Sequence, residues 1–399
     1  MTQLQAQPTT SPSGAASPGR SLPTHMRAAR YHKVGEPFSI DTVERPSPRP
    51  ADVVVQVEAC GMVPNLRVVL NPPPGVIHTP QLPAIYGLDA AGVVAETGSL
   101  VHGVEPGDRV YVNPLRYCGA CRRCRMGRIR ACDYLALSAY LGSGDKSPAM
   151  LSDYPYGGYA EFMTAPQHSL VKLPDNVSFA PAARFGYLGT GYSAVRRANV
   201  NMSTTVLING ISGTLGLGAT IFALALGAPL ILGVGRDVER LHHVKSLSPE
   251  RIHVLSTREG RAIDEWAGSL TDGEGVDVVI DALPTGASPA SFSAAASALG
   301  RGGTHVNIGG VLEDVPINPI YTMNRDQTYT TSFWFTTCEG QEMADLAGSG
   351  LVNLDVLKHE IFALDDINEA LAAVTAEGRD GGFTNFVVRP NTRNARGIS

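Results

Sequence analysis

The chain has 399 residues, of which 43% are apolar and 17% charged, and its net charge is −5. The length suits two domains, the apolar share excludes a disordered chain, and the charge excludes a non-specific nucleic-acid binder, which needs a basic surface field. Its 43 glycines and 28 prolines predict many turns, as in a β-rich or α/β enzyme.

Residues 1–25 hold four Pro, four Ser, four Thr and two Gly but no long apolar core. They read as a disordered tail rather than a secretory signal. No acidic residue precedes Glu36, which leaves a transit peptide as the alternative. Cytoplasmic is the default compartment. Regular structure is expected from about Met26. Val53, Val55 and Val57 alternate with Val54, Gln56 and Glu58 ahead of Cys60-Gly61, which predicts a half-buried strand. Pro106-Gly107-Asp108 is a turn into a strand at Arg109-Val110-Tyr111-Val112, and Gly157-Gly158 leads into another at Tyr159-Ala160-Glu161-Phe162. The region 26–180 is therefore mainly β.

Within it, Cys118, Cys121, Cys124 and Cys132 form C-x2-C-x2-C-x7-C. Four thiolates this close suit one structural zinc held tetrahedrally, with no open position for substrate. Two disulfides or four free thiols are the alternatives, and disulfides fit a cytosolic chain poorly. Arg122, Arg123, Arg125, Arg128 and Arg130 crowd the same loop, where they would offset the charge of a tetrathiolate.

From residue 181 the pattern changes. No charged residue lies between Ala198 and Gly235, a length that could span a bilayer. Gly210, Gly213, Gly216, Gly218, Gly227 and Pro229 interrupt it, so a buried strand–helix–strand unit is the reading and no membrane partner is expected. Further parallel strands are predicted at Val276-Asp277-Val278-Val279-Ile280 and Thr304-His305-Val306-Asn307-Ile308. Strands alternating with helices over 181–324 predict an open parallel sheet. Segment 325–390 is expected to return to the first domain, and the last nine residues to be loose.

The turn Gly210-Ile211-Ser212-Gly213-Thr214-Leu215-Gly216 follows one strand and opens a helix. Glycines there let the backbone approach a pyrophosphate, which the helix N-terminus attracts. A glycine turn chosen only for tight packing is the bland alternative. The next strand ends in Gly235-Arg236-Asp237. Glycine leaves room and a guanidinium suits a 2′-phosphate, so NADP is favoured over NAD. Asp237, turned inward, would serve NAD instead.

The four-cysteine lobe, Pro106-Gly107-Asp108-Arg109-Val110, Gly157-Gly158-Tyr159-Ala160-Glu161, Thr190-Gly191-Tyr192 and the glycine turn together resemble the zinc alcohol dehydrogenase branch of the medium-chain dehydrogenase/reductase superfamily, over about residues 26–390. The resemblance implies an α/β fold class: a GroES-like β-rich catalytic domain plus a Rossmann doubly wound cofactor domain, with the active site in the cleft between them. It also implies that Thr190 touches the nicotinamide and that the backbone at Ile308-Gly309-Gly310 bonds its carboxamide. A homodimer or homotetramer is implied in the same way.

The catalytic-zinc pattern of that branch is not matched. Its three ligand positions fall at Val63, at Leu88 of Gly87-Leu88-Asp89, and at Gly186, and none of these side chains can bind a metal. Cys60, His78 and Asp89 stand nearby as an alternative irregular site. A small buried thiol, a loop histidine and a structural carboxylate are their plainer readings.

Without a metal, an already polarised C=O, C=C or C=N bond is the expected partner for hydride transfer, with hydrogen-bond donors in the metal's place. Candidate catalytic residues are Asn65, at the family's proton-relay position, Tyr192, and Asp89 as an acid or base. Tyr192 and Asp281 are otherwise packing or structural groups, and Cys338 a packed thiol. Met62, Val63, Tyr86, Leu88, Phe333, Trp334 and Phe335 are expected to line an apolar cleft for a small hydrophobic substrate. An alcohol dehydrogenase with a non-standard metal and a non-catalytic NADPH-binding sensor or scaffold remain as alternatives.

Overall fold

The computed structural model describes residues 22–72, 75, 77–375, 381–392 and 397–398. Residues 1–21 of the expected tail lie outside the described residues. Leu22–His25 do not. The first strand is His25–Tyr31, and the Thr24 carbonyl accepts from the Arg45 N–H at 2.9 Å, so tertiary contact holds the chain ahead of Met26.

The centre of the N-terminal unit is the strand Asp52–Gly61, paired antiparallel with Asp89–Thr97 and Phe162–Pro166. Arg109–Val112 and Leu170–Lys172 extend the sheet on one side, and Thr384–Arg389 and Lys358–Ala363 on the other. Val54 is buried along with Val53, Val55 and Val57. The expected alternation holds at Gln56 and Glu58, which are half-buried, and fails at Val54, which faces a cluster of Met26, Ile85 and Phe162 while Val53, Val55 and Val57 face the main core.

The second unit is a six-stranded sheet, all parallel, in the order Ile252–Ser256, Leu230–Gly235, Thr205–Asn209, Val276–Asp281, Leu299–Asn307, Thr328–Thr331. This is the doubly wound order, with the switch between Thr205–Asn209 and Val276–Asp281. GroES-like and Rossmann architectures are both present, as expected. The uncharged stretch is a strand, the helix Thr214–Ala225 and a second strand, and no described helix is long and apolar enough to cross a membrane.

Two boundaries differ from expectation. Thr328–Thr331 is the sixth strand of the parallel sheet, so the chain leaves this unit after residue 331 rather than at 325. Its Thr-Tyr-Thr-Thr sequence sits at a half-exposed sheet edge, where no apolar run is needed. Within the last nine residues, Gly397–Ile398 pairs with Lys358–Ala363, while 393–396 and 399 lie outside the described residues.

The units meet on the helix Phe185–Arg197, which packs on Thr214–Ala225. A Cβ on Gly191 would fall 2.4 Å from the Ala219 nitrogen, so only glycine permits this approach.

Candidate active site

Strand register places Asp89 directly across from Gly61, beside the end of Asp52–Gly61. Its Oδ1 accepts from the Tyr111 hydroxyl at 2.7 Å and from the Gly186 N–H, in the first turn of Phe185–Arg197, at 2.8 Å. Its Oδ2 is buried with no partner among the described residues. Burial pushes Asp89 up to about 7, against the Tyr111 hydroxyl, the Arg184 cation and the Gly186 N–H, which favour the carboxylate. Val63 and Leu88 are buried alongside. A Cβ on Gly186 would fall 2.2 Å from Asp89 Oδ1 and 2.5 Å from the Trp334 ring. Carboxylate and indole therefore fill the place a side chain at 186 would take.

Cys60 is buried beneath Asp89, and burial raises its thiol well above the usual range, so it is not a ready thiolate. His78 is exposed, and its backbone bridges Gly142 at 3.0 Å. Among the described residues, Cys60, His78 and Asp89 form no metal-binding group.

The raised Asp89 carboxyl makes stability pH-dependent. Its contribution is full below the unfolded value of 3.8 and is lost as pH rises through about 7. Asp89→Asn removes this titration. Relative to the variant, the wild type is expected to lose melting temperature between pH 4 and 8, by about 5 °C. Parallel thermal melts across that range check this; curves that stay parallel would mean that Asp89 ionises without cost.

Asn65 precedes the short helix Leu66–Leu70 and is exposed. Two hydroxyls converge on its Oδ1, from Tyr140 at 2.5 Å and from Tyr187 at 2.6 Å. An amide oxygen taken by two donors leaves the amide N–H groups for other acceptors. Burial raises both phenols, so both stay protonated at neutral pH. Tyr187 follows Gly186 and remains half-exposed. Neither tyrosine was selected from the sequence. Tyr187 adjoins a ligand position of the family, which was the available signal; Tyr140, between the short strands Ala136–Leu137 and Leu141–Gly142, carried none.

Tyr192 does not join this group. Its hydroxyl donates to Glu342 at 2.7 Å and its ring lies 4.7 Å from that of Phe222, so it ties helices together. Thr190 lies one turn past Gly186 and returns its hydroxyl to the Gly186 carbonyl at 3.0 Å. The expected cleft lining is mostly core. Met62, Val63, Tyr86, Leu88, Trp334 and Phe335 are buried, and Phe333 is exposed. The Trp334 indole N–H donates to Asn113 at 3.0 Å. Asp281 accepts from Asn209 at 2.9 Å, a structural bond between neighbouring strands. Cys338 is exposed rather than packed.

At the glycine turn, Gly210 has φ +82°, a conformation that favours glycine. Gly213 is the N-cap of Thr214–Ala225, with no side-chain cap, so the first N–H groups lack one. Leu215 and Gly216 continue that first turn. Asp237 is the N-cap of Val238–Lys245 and accepts from the Arg240 N–H at 3.1 Å. It serves its own helix, while Gly235 is half-buried and Arg236 is exposed. The N–H groups of Ile308, Gly309 and Gly310 are donated to Asp281, Asn307 and Leu283 at 2.9–3.0 Å. A carboxamide there would meet carbonyl oxygens.

The four cysteines form the one group among the described residues that could hold a metal ion, with all ligand atoms within 4.8 Å of one another. Cys132 Sγ lies 3.6 Å from Cys118 Sγ and 3.9 Å from Cys121 Sγ. A zinc–tetrathiolate tetrahedron has edges of about 3.8 Å, so the donor set fits a structural zinc. Two of the five arginines are engaged with other partners. Arg123 pairs with Asp133, and Arg130 pairs with Glu339 and donates to Ser193 at 2.8 Å.

Residues 49–175 match the family model of the alcohol dehydrogenase GroES-like domain, and residues 214–349 that of the zinc-binding dehydrogenases. An alcohol dehydrogenase of Geobacillus stearothermophilus is 30% identical over 86% of this chain and 94% of its own length. An NAD-dependent alcohol dehydrogenase of Sulfurisphaera tokodaii is 29% identical over 87% and 95%. A structure described as a zinc-binding dehydrogenase from Sinorhizobium meliloti 1021, bound to NADP, superposes with a TM-score of 0.77 at 25% identity, covering 92% of this chain and all of that one.

Proposed function

The chain belongs to the zinc-type medium-chain dehydrogenase/reductase superfamily, and from that premise we propose that it moves hydride between NADP(H) and a polarised C=O, C=C or C=N bond without a metal in the cleft. The observation that carries this is the Tyr140–Asn65–Tyr187 cluster standing beside Val63, Leu88 and a Gly186 already covered by Asp89 and Trp334. Relatives named as alcohol and sorbitol dehydrogenases support a carbonyl and alcohol pair as the first substrate class to test.

A bound nicotinamide would supply or accept the hydride. The Asn65 amide N–H groups hold a carbonyl oxygen and stabilise charge as it develops there, and the Tyr187 hydroxyl turns from Asn65 Oδ1 to that oxygen when substrate binds. Tyr187 is the proton donor to that oxygen, with Asn65 fixing its orientation. The reduction consumes one proton, which solvent returns to the half-exposed phenol. Four-cysteine zinc, held by Cys118, Cys121, Cys124 and Cys132, stabilises the lobe and takes no part in the chemistry.

The test pairs zinc content with NADPH oxidation in a panel of ketones, enones and cyclic imines. One zinc per chain with turnover that survives chelation supports the reading. Two zincs per chain, with turnover lost when the second is removed, would make this a metal-assisted alcohol dehydrogenase.

Arg236 is the side chain assigned to the 2′-phosphate. Arg236→Ala is expected to raise the Kd of NADPH about tenfold, the scale of one charge-assisted bond, and to leave that of NADH within about twofold. Fluorescence titration with both cofactors checks it, and an equal change in both would remove the assignment. The S. tokodaii relative is named NAD-dependent and the S. meliloti structure holds NADP, so this comparison discriminates.

A further inference from the structure

Arg184 is only 2% exposed; the Asp89 carboxylate acts on it through space, but among the described residues no carboxylate lies within ion-pair distance of it. Its Nη2 is shared between Thr214 Oγ1 at 3.0 Å and the Thr384 carbonyl at 3.3 Å, and its Nε has no partner among the described residues. A buried, under-satisfied cation is costly unless an anion joins it.

Its location says which anion. Arg184 is the N-cap residue of Phe185–Arg197, and Thr214 is the first residue of Thr214–Ala225. Their hydrogen bond brings the two helix N-termini together. The Asp89 carboxylate already serves the first through the Gly186 N–H; the second has no side-chain cap. From the other side the C-terminal segment closes on the glycine turn: the Gly382 N–H donates to the Ser212 carbonyl at 2.9 Å.

We infer that Arg184 is a pyrophosphate-binding residue, its guanidinium joining the N–H groups of Thr214, Leu215 and Gly216 on the bridging phosphates of the dinucleotide. This rests on the proposed use of a nicotinamide dinucleotide and names a contact that the glycine turn alone does not supply. Helix N-terminus and guanidinium act on the same charge, so their effects reinforce one another. Tyr187 covers the same guanidinium, its ring centroid 5.6 Å away, which sets the phosphate contact beside the substrate-oxygen donor.

Calorimetric binding of ADP-ribose to the full-length protein tests this, because ADP-ribose keeps the pyrophosphate and lacks nicotinamide. Arg184→Met is expected to weaken ADP-ribose and NADPH by the same factor, about 10- to 100-fold, and to leave adenosine, which has no phosphate, within about twofold. Arg184→Lys is expected to restore part of the loss; should the Met variant fail to fold, a three- to tenfold weakening in the Lys variant carries the test. ADP-ribose affinity within twofold of wild type in a folded variant, or a parallel loss of adenosine binding, would overturn the inference. Wild-type protein that binds ADP-ribose but reduces no substrate would defeat the proposed function and leave this contact standing. Wild-type protein that binds no ADP-ribose would defeat both.

Discussion

Tyr187→Phe is expected to lower kcat for NADPH-driven carbonyl reduction by about 10²- to 10³-fold, the scale of losing one positioned donor to a developing oxyanion. Cofactor Kd should stay within twofold, because the hydroxyl contacts Asn65 and not the glycine turn. The phenol is suited to the role. Burial keeps it protonated, against the nearby Arg184 cation and the Asn65 hydrogen bond, which favour the phenolate. Asn65→Ala removes the shared acceptor of Tyr187 and Tyr140 and should raise KM as well as lower kcat, by about tenfold each. Single-turnover kinetics alongside cofactor titration separate the two effects. A Phe variant with wild-type kcat would place the donor elsewhere and remove Tyr187 from the mechanism.

The second large effect concerns the four-cysteine lobe. Cys132→Ser is expected to reduce zinc from about one per chain to near zero and to lower the melting temperature by about 10 °C, the scale of losing a few kcal/mol of metal-linked folding energy. Cys132 is the buried member of the set. Burial pushes its thiol up, while the Cys118 and Tyr134 N–H groups, both donating to the sulfur at 3.4 Å, favour the thiolate that a metal needs. The damage should spread. Arg130, two residues earlier, joins the lobe to Glu339 and to Ser193 on Phe185–Arg197, the helix that also carries Gly186, Tyr187 and Thr190. Elemental analysis and melts of wild type, chelated wild type and the Ser variant check both parts. A variant that keeps its zinc and its melting temperature would show that three thiolates suffice.

Local chemistry was legible in the sequence; convergence across the chain was not. The cysteine spacing marks a candidate metal site by itself, because all four sulfurs fall within 15 residues. The glycine turn was readable because strand, turn and helix are contiguous. Thr328–Thr331 was missed because an edge strand needs no apolar run. The Tyr140–Asn65–Tyr187 cluster joins residues up to 122 positions apart, and no periodicity links them. Tyr192 stands apart from that cluster for a geometric reason. It follows Tyr187 by five residues, which turns the helix by about 140°, so the two face different neighbours. The place of Asp89 after Leu88 marks it in the sequence, but its bond to the Gly186 N–H depends on where a helix 97 residues later begins.

The crowding at Gly186 also bears on engineering. A cysteine or aspartate placed there would set its Cβ 2.2 Å from Asp89 Oδ1 and 2.5 Å from the Trp334 ring, so both side chains must shift before a metal could bind. A single substitution at 186 therefore does not build a ligand. A designed metal site in this corner has to begin with the space that the carboxylate and the indole now fill.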